Sequence, residues 1–360
     1  MTIVVFILIL ALLVLVHEFG HFIAAKKNGV KVEEFGFGFP PRLFGVKRGE
    51  TLYSINALPI GGFVKLYGEE YHEIENSKLE ARSSKMDAKA FVSKHPFQKA
   101  IIIVAGVVGN FLLGWILISF LFTQGIPTPI NKVLVEKILP SSPAVAAGIQ
   151  ERDLIYKIIV DKSEYSISSS TDLINYTKKY AGKKITLFIE RSNKQYVFKI
   201  TPRINPPPGE GPLGIVITSF MEKKYPWYQA PFYGLVEAFN ITQKIASELI
   251  KTLSQIVTFQ KTSVEVAGPV GIARYTGQAI KFGKNAVLEL IALLSLNLAI
   301  INILPFPALD GGRLVFVVYE WITKRKVNHK VEQFTNLIGI VILLSFAALI
   351  TVHDIVKLMK

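Results

Sequence analysis

Residues 1–27 read Met1-Thr-Ile-Val-Val-Phe-Ile-Leu-Ile-Leu-Ala-Leu-Leu-Val-Leu-Val16-His17-Glu18-Phe19-Gly20-His21-Phe-Ile-Ala-Ala-Lys26-Lys27. No side chain from Ile3 to Val16 is charged, and the run closes on the pattern H-E-x-x-H. About twenty apolar residues in a helix cross a hydrocarbon core, so this stretch reads as a membrane span with ionisable groups near one end. Four residues advance about 400° around a helix, which stacks the two imidazoles on one face. At that spacing two nitrogens reach one zinc ion, with the intervening Glu placed as general base. A chance copy of so short a pattern would sit on a solvated helix, where Glu and His cost little; inside lipid they are expensive and mark function. The metzincin extension is absent, because Ala24 and Lys27 stand where it needs Gly and a third His. The third ligand must come from elsewhere. The run also lacks a basic leading region and a small-x-small cleavage pattern, so it is expected to be a retained span and not a signal peptide.

Half of the 360 residues are hydrophobic and the mean hydropathy is +0.39, too apolar for a soluble chain of several domains. Strong apolar segments lie at 3–25, 100–122, 287–318 and 337–352. Lys26 and Lys27 follow the first, Lys94 and Lys99 precede the second, and Lys324, Arg325, Lys326 and Lys330 fill the turn between the last two. Positive charge stays cytoplasmic, which places those connections inside and leaves both termini and residues 123–285 outside. The net charge of +14 is spread along the chain without basic–aromatic interleaving. It therefore reads as topology and contact with lipid headgroups, with no nucleic-acid partner. With no cysteine, disulfides and thiolate ligands are excluded, and any zinc is held by nitrogen and oxygen.

A second half-site lies nearly 300 residues away. Residues 297–313 read Asn297-Leu-Ala-Ile-Ile-Asn302-Ile-Leu-Pro305-Phe-Pro307-Ala-Leu-Asp310-Gly311-Gly312-Arg313. Pro305 and Pro307 each lack a backbone donor, so the helix breaks here. Broken helix at membrane depth survives only inside protein or along a wet cavity. Asp310 is the one carboxylate between Glu289 and Glu320, and a lone carboxylate at that depth takes up a proton, finds a partner or binds metal. The plain structural alternative is a capping Asp at a proline kink. Beside His17 and His21, two histidines and one aspartate with an open position for water satisfy both half-sites at once.

These two motifs together resemble the site-2 protease family of intramembrane zinc metalloproteases, most closely its bacterial RseP-like branch. The later stretch matches that family's N-x-x-P-x-P-x-L-D-G. The resemblance implies that His17, His21 and Asp310 bind one zinc ion per chain, that Glu18 activates water, and that Asn302 engages the substrate backbone or scissile carbonyl. Gly61-Gly62-Phe63 resembles the family's β-rich loop at the membrane, and Ala105-Gly106 with Asn110 its A-G-x-x-x-N, with Val107 standing where a Pro is usual. Gly268-Pro269-Val270-Gly271-Ile272 resembles the sequence preceding the third span. Gly61, Gly62, Phe63 and Asn110 are accordingly expected to bind substrate. Residues 131–203 resemble a permuted PDZ domain, and Leu213, Gly214 and Ile215, after the prolines at 206–208, resemble the loop and strand that close its peptide groove.

The residues between the motifs carry their own patterns. Residues 30–66 alternate and are rich in Phe, Gly and Pro, which reads as short strands. An exposed edge there would either pin an extended substrate or form a hairpin that plugs the site. Residues 69–93 are charged and read as a loose connection. Ser142-Pro143 through Gly148 carries the cap residues of a short helix. Between 232 and 257, apolar residues at Val236, Phe239, Ala246, Leu249, Leu253 and Ile256 describe an amphipathic helix, either lying on the outer leaflet or simply packed.

The expected fold is a polytopic α-helical membrane protein with four transmembrane helices, a membrane-associated β-hairpin loop and an inserted extracytoplasmic α+β PDZ domain. Its order is a first span (1–26), a cytoplasmic loop with the β region (27–96), a second span (97–123) and the PDZ domain (128–218). An amphipathic helical region (219–285), a broken third span (286–322), a cytoplasmic turn (323–332) and a fourth span (333–356) complete it. The expected activity is cleavage of the transmembrane segments of single-span membrane proteins. The family implies regulated intramembrane proteolysis in the bacterial cytoplasmic membrane, after a first cut by a site-1 protease, on substrates such as an anti-sigma factor or signal-peptide remnants. A catalytically silent PDZ scaffold would need none of His17, Glu18, His21 or Asp310, and a metal transporter would leave Glu18 idle.

Overall fold

The computed structural model describes residues 1–69, 88–161, 163–258, 268–325 and 327–358. Most of the charged connection expected at 69–93, and Lys326 of the short basic turn, lie outside the described residues. In chain order come α1 (Thr2–Lys27), β1 (Val32–Arg48), β2 (Thr51–Leu66), α2 (Pro96–Gln124), β3 (Ile126–Ile138) and α3 (Pro143–Ala147). Then follow β4 (Leu154–Val160), β5 (Ser163–Ser166), α4 (Ser170–Lys179), β6 (Ile185–Arg191), β7 (Lys194–Ile200) and β8 (Ile215–Lys223). The chain ends with α5 (Ala230–Val257), α6 (Pro269–Phe282), α7 (Lys284–Ile303), α8 (Asp310–Thr323) and α9 (His329–Leu358). Two compact units result, one of residues 1–121 with 227–360 and one of residues 122–226.

In the first unit, α1, α2, α7 and residues 330–357 of α9 are long and apolar enough to cross a membrane. Glycines let the helices approach closely, as expected where lipid removes the hydrophobic drive between them. A Cβ on Gly20 would strike the Ala105 carbonyl of α2, and one on Gly109 would lie 2.9 Å from the Val16 oxygen of α1. The broken span divides into α7 and α8 around residues 304–309, where Ala308 has a φ of +71°. Gly311 and Gly312 are needed there, because side chains would collide with the carbonyls of Ile303, Leu304 and Phe306. Hydrogen bonds tie α9 near both of its ends. Asn336 accepts from the Ala308 N–H, and the Asp354 carboxylate accepts from the N–H groups of Gly268 and Gly271, capping α6.

One detail departs from the expectation of short strands, and two others refine the sequence reading. The strands over 30–66 are long, and the start of β1 is paired on both sides: Glu34 to Phe37 face Lys65 to Gly62 on one side and Leu52 to Ile55 on the other. The segment 62–66 is thereby an edge. α6 is a separate helix, set off from α7 by Gly283 with a φ of +103°. On α5 the buried face is the small-residue row Ala230, Gly234 and Ala238, with Gly234 against the Ser119 backbone, while Val236 and Phe239 are exposed. Close backbone approach to α2, and not the larger apolar stripe, decides that face.

The second unit is a six-stranded antiparallel sheet in the order β7-β6-β4-β3-β8, with β5 on β4. Its core is aliphatic: Val133, Val135, Ile155, Ile158, Leu173, Ile185, Leu187 and Ile189 are all fully buried. α3 is capped by Ser142, starts on Pro143 and ends on left-handed Gly148. α4 starts in a capping box of Ser169 and Asp172.

Candidate active site

α1 presents His17 and His21 on one face, and the N-terminus of α8 brings Asp310 to them. His17 Nε2 lies 2.8 Å from Asp310 Oδ2, His21 Nε2 lies 3.2 Å from the same oxygen, and the two Nε2 atoms are 3.1 Å apart. Donors held about 2.1 Å from one tetrahedral ion stand roughly 3.3 Å from each other. The triangle therefore has the size and the N/N/O donor set that suit a zinc-like cation, with a fourth direction left for a ligand. Asp310 opens α8, where the helix dipole favours a carboxylate. Gly106 makes room for the rings, since a Cβ there would overlap His21 Nε2.

The surroundings fix the rings further. His21 Nδ1–H donates to the Ile102 carbonyl at 2.8 Å, which leaves its Nε2 lone pair free. Asn302 brings Nδ2 within 3.3 Å of His17 Nε2, and Asn110 brings its amide within 3.3 Å of His17 Nδ1. Glu18 lies beside the β2 edge: the Val64 N–H hydrogen-bonds to its carboxylate, and a Cβ on Gly62 would stand 3.8 Å from its Cγ. Gly61 packs nearby between Phe39 and Val14, and the Phe63 ring covers Gly36.

A cavity of about 270 Å³ runs from Glu18, His21 and Asp310 past Val64 and Leu66 to a charged end. There Lys99 pairs with Glu320 at 2.9 Å, and Arg313 pairs with Glu69 at 2.5 Å. Sequence reasoning missed these four residues. Lys99 and Glu320 are visible as isolated charges at span ends, but their partnership across 221 residues has no sequence signal.

The structure thus brings together His17, Glu18, His21, Asp310, Asn302, Asn110 and the Gly61–Phe63 stretch. Leu213, Gly214 and Ile215 belong to the second unit. Leu213 is buried, Gly214 has a φ of +67° beside Ser142 and Arg203, and Ile215 begins the edge strand β8.

The pattern of peptidase family M50 matches residues 5–346. A candidate zinc metalloprotease of Clostridium perfringens is 35% identical over 358 residues, covering 99% of each chain. The zinc metalloprotease RasP of Bacillus licheniformis and the regulator of sigma-W protease RasP of Bacillus subtilis are each 29% identical, over 99% of both chains. The chain belongs to peptidase family M50. It is an intramembrane metalloprotease of the site-2 protease type.

Proposed function

We propose that this protein is a zinc-dependent endopeptidase that cuts the transmembrane segments of single-span membrane proteins. The observation that carries the reading is the meeting of His17, His21 and Asp310 from helices 293 residues apart, with Glu18 lining the same cavity. Those three residues hold one zinc ion per chain, which when bound polarises the scissile carbonyl and acidifies water. Glu18 takes the proton of the attacking water and returns it to the leaving nitrogen. Asn302 donates from Nδ2 to the scissile carbonyl oxygen. A helical peptide bond is shielded by its own hydrogen bonds, so the substrate must be extended. The outer strand formed by residues 62–64, paired with β1 on one side and lying beside Glu18, offers a strand edge for that purpose.

The same reading assigns the second unit as a PDZ domain with Leu213, Gly214 and Ile215 at its groove, limiting which substrates reach the site. The lysine distribution supports extracytoplasmic termini and an extracytoplasmic second unit in a bacterial cytoplasmic membrane. The protein acts in regulated intramembrane proteolysis, after an upstream site-1 protease has trimmed the substrate.

The test is Glu18→Gln in the full chain. Gln keeps the shape and loses the base, so turnover of a model single-span substrate is expected to fall about 10²- to 10⁴-fold. Zinc content by elemental analysis should stay at one per chain. Cleavage within tenfold of wild type would remove Glu18 from the chemistry, and zinc-free wild-type protein would remove the metal.

A further inference from the structure

We infer that Asn110 is a positioning residue: its side-chain oxygen accepts the His17 Nδ1–H and holds the ring in the tautomer whose Nε2 is free for metal. The inference rests on the zinc reading above.

The two histidines differ in what stands behind them. His21 has a backbone carbonyl at Nδ1, which only accepts and so fixes the proton there. Among the described residues no carbonyl accepts from His17; its Nδ1 meets the Asn110 amide at 3.3 Å and Asn302 Nδ2 at 3.5 Å. The Asn302 amide lies nearer Nε2, at 3.3 Å, than Nδ1, which leaves Asn110 as the closer partner of Nδ1. Asn110 is fully buried, and with Nδ2 turned to the ring its Oδ1 has no partner among the described residues. That orientation also asks Nδ1 to accept, which puts the His17 proton on Nε2, the atom facing Asp310 and His21. A half-turn of the carboxamide exchanges its oxygen and nitrogen with little change of shape. Nδ1–H then donates to Oδ1 and Nε2 carries the lone pair. Because Oδ1 has no partner at the amide's far end, the half-turn breaks no hydrogen bond there, and the contact at the ring decides between the two orientations. A ring bound to metal through one nitrogen is a stronger donor at the other, which favours the half-turn further.

The backbone holds Asn110 in place for this. Ser295 of α7, itself fully buried, donates to the Asn110 carbonyl at 2.8 Å. Gly106, four residues earlier on the same helix, admits the His21 and His17 rings. Being wholly enclosed behind His17, Asn110 has no surface to offer a peptide, so the substrate contact expected from sequence gives way to support of the ligand.

The test uses the full chain in lipid nanodiscs, stripped of metal and titrated with zinc against a chromophoric chelator. Asn110→Leu keeps the bulk and removes the acceptor; Asn110→Asp keeps the acceptor. Outer-shell partners of ligating histidines typically contribute 10- to 100-fold in metal affinity. The leucine variant should therefore lose about tenfold or more, and the aspartate variant less than tenfold. The visible spectrum of the cobalt-loaded aspartate variant should match that of the wild type. Any other affinity pattern overturns the inference, and if only one variant folds, the same threshold applied to it decides. Wild-type protein that binds no zinc sinks the metal reading itself, whereas zinc-binding wild type with an unaffected leucine variant sinks only the role of Asn110.

Discussion

Residues 122–226 completely bury Ile155, Ile158, Ile185, Leu187 and Ile189, while the four candidate spans of the other unit bury 6 to 33% of their apolar windows. Leu8, Ile116 and Leu344 on those spans are more than half exposed. The sheet unit is held by removing aliphatic side chains from water. The helical unit, whose outer surface meets lipid, is held by backbones that touch at glycine and by a few polar contacts, because apolar side chains gain little by leaving lipid for protein. One added methyl group should therefore be ruinous in the helical unit at a place where the sheet unit would notice only a removed one.

Gly106→Ala is expected to have the largest effect. Its Cβ would occupy the space of His21 Nε2, and a shift of about 1 Å at a reacting centre costs roughly a hundredfold or more. Zinc content and proteolysis should fall together, while hydrogen exchange in residues 122–226 stays unchanged. Zinc content equal to wild type would show that α2 can yield, and the comparison would fail. Leu187→Ala should do the converse, destabilising the sheet by about 2–5 kcal/mol. Amides of β4 and β6 should exchange faster with zinc undisturbed. The smallest effect is expected from replacing residues 122–226 by a short Gly-Ser linker. Cleavage of a short single-span substrate should stay within about threefold, and substrates still carrying a bulky outer domain should now be cut. A folded, zinc-loaded deletion that no longer cuts the short substrate would mean that the sheet unit recruits substrate directly.

Much of the helical unit is legible in the sequence because its signals are local. The apolar run before His17, the prolines at 305 and 307, and the lone Asp310 each announce a membrane site without reference to the rest of the chain. The cap residues Ser142, Pro143 and Gly148 do the same for a short helix of the sheet unit. What stays hidden depends on distant pairing. Alternation over 30–66 predicts strands, but not that Glu34 to Phe37 would be flanked on both sides, since that register is set between segments about 18 and 30 residues apart. Asn110 is visible as part of a motif, yet its burial behind His17 follows from the approach of α2 to α1 at Gly20 and Gly109. The stripe through Val236 and Phe239 leaves open whether it packs or lies on the outer leaflet, and both residues are exposed: in lipid, the larger apolar face is not the one that must be covered.

The fastening of α9 has a mechanical consequence. Only 6% of its most apolar stretch is enclosed, and hydrogen bonds hold it at Asn336 near one end and at Asp354 near the other. A beam pinned at two points resists sliding and tumbling far more than it resists bowing. The side of the protein facing this helix therefore has a compliant wall, whose outward flexing is opposed by lipid, by these hydrogen bonds and by the close seat of Gly339 on the Pro307 backbone.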